Sequence, residues 1–293
     1  MYPAIISDYH RPTSVQEALS ALKQDAGGAM FIAGGQSLMQ ALKSRLVQVD
    51  CLVDLQDVAE LKGVKTDGGI KIGAMTRYVD LIDEPSLQPA YAAFSDAAGR
   101  VGDRQVRNRG TVGGSVCWNY IAACMPAVAL GLGATMNLMS GSGQTRSVPA
   151  HEFLGTPLET DRKPDEILLS LELPRPPKSA GSAYRKWALV TDGLPVVGVC
   201  VYLEADGSGG CSRAQVAFGG LASGPKRAPA AEKRLVGCRA SDAQQLQEAM
   251  AAGAAELETQ SDLWADSEYR KHLMRMMGAE VAATALRRAG GSA

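Results

Sequence analysis

Charge of one sign, aromatic rings and paired metal ligands are all scarce in this chain of 293 residues. With 30 Lys and Arg against 31 Asp and Glu, the net charge is −1, so no basic field attracts nucleic acid or an anionic membrane. Aromatics at 5% leave few stacking platforms for single-stranded bases. The six cysteines, Cys51, Cys117, Cys124, Cys200, Cys211 and Cys238, form no C-x-x-C pair, and no histidine stands at zinc-site spacing from them. No metal site and no iron–sulfur cluster is expected on this chain. His10, His151 and His272 show no motif that would make them catalytic, and no catalytic residue is assigned.

Long hydrophobic runs are missing as well. Ser115 to Thr145 carries no charge, but its most apolar part, Ile121 to Met136, is shorter than the roughly 20 residues of a spanning helix. Pro126, Gly131 and Gly133 interrupt it, so a buried helix is expected and no membrane span. The segment Met1 to Asp8 lacks a basic start followed by an apolar stretch, so it does not read as a secretory signal, and a cytoplasmic protein with reduced thiols is the expectation. Neither the Rossmann G-x-G-x-x-G nor the Walker A pattern occurs.

What is present is an ordinary globular composition, 46% hydrophobic and 21% charged, in a chain long enough for two cores. Thr13 and Gln16 have the spacing of a capping box, with Val15, Ala18, Leu19 and Leu22 at helical intervals after it. Met30–Ala33 and Cys51–Leu55 read as strands, and Leu38, Leu42 and Leu46 as one face of the helix between them. Further on, Ile70–Ile72 reads as a strand, 89–99 as a helix, 111–114 as a glycine turn and 166–173 as a strand. Pro174-Arg175-Pro176-Pro177 punctuates the chain. Beyond it lie three predicted strands (183–190, 196–204 and 211–218), a hairpin turn at Asp206-Gly207, and helices over 241–258 and 267–288. The tail Gly290 to Ala293 is expected to be loose.

Two segments could hold an anion. In Ala33-Gly34-Gly35-Gln36-Ser37-Leu38 the chain leaves a buried strand through two residues free to adopt positive φ, so that successive N–H groups converge. Ser37 adds a hydroxyl, and the start of the next helix adds partial positive charge. Thr111-Val112-Gly113-Gly114-Ser115 repeats the logic, and two such neutral nests facing one diphosphate would make a dinucleotide site. Taken singly, each is also an ordinary tight turn.

Together these segments carry a family resemblance. Ile32 to Leu38, Leu42-Lys43 and Val53-Asp54-Leu55 resemble the FAD-binding medium subunit of carbon monoxide dehydrogenase, xanthine dehydrogenase and other molybdenum hydroxylases. Gln105 to Gly114, Glu166-Ile167-Leu168, Ala217 to Leu221 and Tyr269 to Leu273 continue it in order along nearly the whole chain. The resemblance implies an α+β protein with a vanillyl-alcohol-oxidase (PCMH)-type FAD-binding fold over 1–176, made of two α/β subdomains (about 1–55 and 56–176). A C-terminal α+β domain, a three-stranded sheet with helices, would occupy 177–293.

It further implies noncovalent FAD on this chain, with 2Fe-2S clusters on a small partner subunit and a molybdenum cofactor on a large molybdopterin subunit. These would assemble as a dimer of heterotrimers that passes electrons to an external acceptor. Met30, Phe31, Ile32, Ala33, Gly34, Gly35, Gln36 and Ser37, with Thr111, Val112, Gly113, Gly114 and Ser115, would line the diphosphate and ribityl chain. Val101 would lie near the adenine, and Leu168 and Lys186 near the flavin. Lys186 could stabilise negative charge at the flavin N1–C2=O edge.

The chain departs from the family at three positions. Cys124 and Tyr120 stand where aspartates are usual, so a cofactor-hydroxyl contact is either lost or supplied by backbone or by Ser115. Leu194 stands where an aromatic often shields the flavin, which leaves that face more open. Two alternatives stay open: a self-sufficient FAD oxidoreductase of the same fold, acting on an alcohol or similar small substrate or reducing a sugar nucleotide, and a scaffold that has lost FAD.

Overall fold

A computed structural model describes residues 5–24 and 28–290, so most of the terminal tail (residues 291–293) lies outside the described residues. The N-terminal unit contains β1 (Asp8–His10), α1 (Val15–Gln24), β2 (Ala29–Ile32), α2 (Leu38–Lys43) and β3 (Cys51–Asp54). Its sheet has the order β1-β3-β2 with both outer strands parallel to β3. Parallel neighbours need crossovers, which α1 and α2 provide. The capping box of α1 sits one residue later than predicted. The Glu17 N–H donates to Ser14 Oγ at 3.2 Å, and the Glu17 carboxylate accepts from the Thr13 N–H at 2.8 Å. A carboxylate near the helix N-terminus also meets the macrodipole, which Gln16 could not do.

The second helix stops sooner than predicted. Arg45 takes φ +57°, and the N–H groups of Arg45 and Leu46 turn back to the carbonyls of Leu42 and Ala41. This pair of reversed bonds ends α2 and throws Leu46 into solvent, 81% exposed, instead of on the face of Leu38 and Leu42.

The second unit runs through β4 (Val64–Lys65), β5 (Gly69–Gly73), α3 (Tyr78–Ile82), α4 (Ala92–Ala98), α5 (Arg104–Arg109), α6 (Val112–Trp118) and α7 (Cys124–Gly131). It ends with β6 (Thr135–Ser140), β7 (Thr145–Pro149), α8 (Ala150–Phe153) and β8 (Glu166–Pro174). Its antiparallel sheet has the order β4-β5-β8-β6-β7. The segment predicted as a glycine turn at 111–114 is instead the capped start of α6, with Thr111 Oγ1 accepting from the Gly114 N–H at 3.1 Å. The apolar stretch from Ile121 holds a fully buried helix, α7, as expected. Gly133 at φ +63° then turns the chain into β6, a strand the sequence did not announce.

The third unit comprises β9 (Ala180–Trp187), β10 (Val197–Ala205), β11 (Cys211–Gly219), β12 (Lys226–Arg227), α9 (Pro229–Leu235), α10 (Ala243–Ala255) and α11 (Ser267–Arg288). Its sheet has four strands, β12-β11-β10-β9, rather than the three predicted, because a short edge strand joins β11. The β10–β11 hairpin turns at Asp206, whose carboxylate accepts from the N–H groups of Ser208 and Gly210.

Strand β10 is buried on both faces. Val197, Val199, Val201 and Leu203 pack with the buried faces of α9, α10 and α11, while Cys200 and Tyr202 join the core of the second unit. Each such apolar side chain contributes about 1.5–3 kcal/mol. The glycine surface of α7 permits the contact, since a Cβ on Gly131 would lie 2.8 Å from Cys200 Sγ.

Charge completes the joint between these units. Arg288 of α11 donates to both carboxylate oxygens of Asp96 on α4, at 2.6 and 3.0 Å, and to the Ser182 carbonyl at 2.7 Å. The architecture is α+β, as expected. Among the described residues no helix is long and apolar enough to cross a membrane.

Candidate functional site: a glycine-walled cofactor cavity

The N-terminal unit meets the second unit across a cavity of about 270 Å³. One wall is the turn that leaves β2. Gly35 takes φ +71°, a conformation that side chains resist, and no hydrogen bond among the described residues engages the N–H groups of Gly35, Gln36 or Ser37. The Ser37 side chain makes no capping bond either, and Gln36 folds back to the Gly34 carbonyl at 3.3 Å. These open donors are grouped as an anion would need them. The helix that follows is only six residues long, so the partial charge predicted at its start adds little.

The opposite wall is built differently from the sequence reading. Val112 and Gly113 donate their N–H groups to the carbonyls of Thr76 and Ala74, at 3.0 and 2.9 Å, and the Ser115 N–H returns to Thr111. This segment therefore offers no open nest. Its glycines serve close approach: a Cβ on Gly113 would lie 2.6 Å from the Ala74 oxygen, and one on Gly114 would lie 3.2 Å from Ala33 Cβ. The two walls touch at their backbones, since a Cβ on Gly34 would fall 2.1 Å from the Arg109 carbonyl oxygen.

Of the predicted cofactor contacts, Met30, Phe31, Ala33, Gly34, Gly35, Gln36, Ser37, Thr111, Gly113, Gly114, Ser115 and Leu168 line this one cavity. Ile32 packs instead with Leu38 and Trp118, and Val112 is fully buried in the core of the second unit. Val101, Cys124 and Lys186 stand outside its lining. Cys124 is buried behind Tyr78 and beside Tyr184 and Lys186, and burial raises its thiol pKa. Lys186, half-buried, donates to the Gly193 carbonyl, and burial lowers its ammonium pKa.

Sequence reading missed Arg162, which lines the cavity from the loop before β8 and donates to the Glu166 carbonyl at 2.8 Å. No motif marks it. Among the described residues it is the sole cation of a lining that contains no carboxylate and no histidine. Burial pushes the Tyr78 hydroxyl well above its ordinary pKa and the Cys117 thiol up to about 11, so neither is ionised at neutral pH. The cavity can grip an anionic, elongated molecule with an apolar portion, but it holds no acid–base pair of its own. A larger cleft of about 570 Å³ between α4, α10 and α11 contains neither glycine turn and is not this site.

Residues 5–176 match the family described as the FAD binding domain in molybdopterin dehydrogenase, and residues 182–285 match the CO dehydrogenase flavoprotein C-terminal domain. The chain belongs to the family of FAD-binding medium subunits of molybdenum hydroxylases. Among its relatives, the carbon monoxide dehydrogenase medium chain of Hydrogenophaga pseudoflava is 32% identical, over 92% of this chain and 93% of the relative. The glyceraldehyde dehydrogenase medium chain of Sulfolobus acidocaldarius is also 32% identical, over 94% and 97%. A solved chain of quinoline 2-oxidoreductase from Pseudomonas putida superposes with a TM-score of 0.90 at 31% identity, covering 99% of each chain. The fold is thus the PCMH-type FAD-binding fold with a C-terminal domain, and the cofactor of this family member is FAD. The open donors of the first turn, the glycine-walled gap and Arg162 fit its diphosphate.

Proposed function

We propose that this chain is the FAD-carrying electron-transfer subunit of a heteromeric molybdenum hydroxylase. It takes electrons from 2Fe-2S clusters on a small partner subunit and passes them to an external acceptor. The organic substrate is oxidised at a molybdenum cofactor on a large partner subunit. The observation that carries this reading is a glycine-walled cavity with open N–H donors and one arginine, whose lining among the described residues has no carboxylate or histidine to act on a substrate. Relatives that bear the names of medium chains support the place in a larger assembly.

In this reading the unit over 1–176 holds the cofactor and the unit over 177–293 closes against it. Gly34, Gly35, Gln36 and Ser37 donate to the diphosphate, Arg162 balances its charge, and Gly113 and Gly114 keep the opposite wall close. Leu168, with Met30 and Phe31, gives the apolar wall. Lys186 offers a cation to the ring system, and an anionic neighbour there would restore the pKa that burial lowers. Bound FAD supplies the two-electron redox chemistry.

Purification of the native assembly, with flavin, iron and molybdenum measured together, tests the proposal. About one FAD for each copy of this chain, with iron and molybdenum co-purifying, is expected. FMN in place of FAD, or a chain that purifies with flavin alone and oxidises an organic substrate, would overturn it.

A further inference from the structure

The cleft of about 570 Å³ between α4, α10 and α11 has no part in the FAD reading, since none of its lining belongs to the glycine-walled cavity. Its volume falls in the range of about 300–1,000 Å³ common for small-molecule sites. The lining is sorted by element. From α10 and the loop before it come Ala240, Ala243, Leu246 and the amide of Gln247, with no charge. From the end of α4 and from β9 come Asp96, Arg100 and Arg185, and α11 adds Glu280, Arg287 and Arg288.

Pairing leaves a surplus of positive charge. Arg288 is spent on Asp96 and Arg185 on Glu280. Arg100 donates to the Asp96 carbonyl at 3.1 Å and Arg287 to the Thr284 hydroxyl at 3.3 Å, both neutral acceptors. Among the described residues neither has a carboxylate partner, and most of the N–H donors on each guanidinium stay open. Basic side chains in a last helical turn also answer the helix dipole, which at the end of α11 offsets about half a unit of charge. The surplus that remains is met by one anionic group.

The rest of the lining narrows the class of ligand. Among the described residues Tyr184 is its only aromatic and is 2% exposed, so a nucleotide base finds no face to stack on. Ala243, Met276 and Ala283, each at least partly exposed, instead offer aliphatic surface to an unbranched chain. A carboxylate takes the two parallel N–H bonds of a guanidinium fork.

We propose that this cleft binds a medium-chain aliphatic carboxylate, with its head group on Arg100 and Arg287 and its chain along α10. Arg100 belongs to the second unit and Arg287 to the third, so the ligand adds a bridge at the joint that Asp96 and Arg288 already hold. Occupancy then stabilises the joined units by mass action.

Calorimetric titration of the FAD-loaded chain with sodium octanoate tests this, with the thermal midpoint followed alongside. One saturable site for each chain is expected, with a midpoint that rises with octanoate and a flavin absorbance that stays constant. Affinity is expected to grow about two- to fourfold for each CH2 from butyrate to octanoate, while octanol and octylamine do not saturate. Arg100→Gln and Arg287→Gln, both at exposed positions, are each expected to raise the Kd by about tenfold and to flatten the rise in midpoint. A titration that fails to saturate, an equal affinity for octanol, or wild-type binding in both variants would overturn the proposal. So would inorganic phosphate binding as tightly as octanoate, which would make the cleft a plain anion site. Release of partner subunits from the native assembly by Arg287→Glu, with no octanoate binding by the wild-type chain, would overturn it in favour of a docking groove for an acidic segment.

Discussion

At the scale of single residues, two glycine pairs that look alike in the sequence do different work. Both were read as places where the chain needs positive φ. Only Gly35 has it, at +71°, with the flexible Met39 side chain its nearest obstacle at 3.2 Å. Gly113 is helical and is glycine because Ala74 backbone lies where its Cβ would be. The location of the cavity was therefore legible, and the reason for half of its glycines was not, since packing against a remote segment leaves no local pattern. The two substitutions should part accordingly. Gly35→Val is expected to leave a folded chain, weakened by about 1–2 kcal/mol, that no longer retains FAD, because the open N–H groups are displaced. Gly113→Val is expected to cost about 3 kcal/mol or more, by overpacking against backbone. Urea denaturation with flavin absorbance on the same samples separates the two. Wild-type occupancy in Gly35→Val would show that the diphosphate lies elsewhere.

At the scale of elements, legibility followed local signals. Helix α11 was predicted over its full span because Asp266 caps it and its apolar positions recur to the end. Strand β6 is not legible, because it sits in an uncharged stretch whose composition suits a buried helix equally well, and β7, mostly polar and partly exposed, has no apolar alternation to announce it. The start of β8 was legible from Glu166-Ile167-Leu168, but its anchor was not. Arg146 of β7 donates to Glu166 at 2.6 and 2.8 Å and also to Asp161, and the Lys163 N–H bonds Glu166 at 2.8 Å. These bonds hold the loop that carries Arg162 into the glycine-walled cavity. The Arg146 guanidinium also keeps the Glu166 carboxyl below its ordinary pKa. The depressed folded-state value means that this stabilisation is present above the unfolded carboxylate pKa of about 4.3 and is lost as pH falls through the folded value. Arg146→Ala leaves a nearly buried carboxylate without its partner and is expected to cost about 3 kcal/mol at neutral pH. The acid-side fall in stability should also shrink in this variant. Thermal unfolding midpoints of both proteins from pH 7 to pH 3 test this, and parallel curves would show that the pair does not couple to folding.

At the scale of the whole molecule, the C-terminal unit shares its core with the cofactor unit, so the two are not independent modules. Cys200, Tyr202 and Ala217 of the third sheet belong to the same apolar cluster as Val128 and Phe94, and Asp96 with Arg288 ties the ends. A flavin edge near Lys186 would thus be held between two units that move as one. Arg288→Ala is expected to lower stability by about 2–4 kcal/mol, because Asp96 is then left largely buried without its cation. Denaturation followed by tryptophan fluorescence and by flavin release should still show one shared transition. Two separated transitions would mean that this ion pair, rather than the apolar core, joins the units.

The proposed division of labour in the assembly is argued at the scale of the whole molecule, and the content of the cavity lining supports it. Substrate oxidation needs a group that accepts a proton within reach of the reacting atom. Among the described residues the glycine-walled cavity offers Tyr78 and Cys117, both held protonated by burial, and no carboxylate or histidine. A cavity of about 310 Å³ beside the loop after Lys186 offers Asp262, already bonded to Arg270 and to the N–H groups of Trp264 and Ala265, which lower its pKa. Neither can serve as a base toward an alcohol or a heterocycle near neutral pH. In the proposed reading electrons arrive instead from a donor that needs no proton transfer on this chain, as iron–sulfur clusters on a partner would be. Mixed anaerobically with an organic substrate of the complex, the isolated FAD-loaded chain is expected to keep its oxidised flavin spectrum, and adding the partner subunits is expected to bleach it. Rapid bleaching of the isolated chain would instead require a base that these cavities lack, and would identify a self-sufficient oxidoreductase.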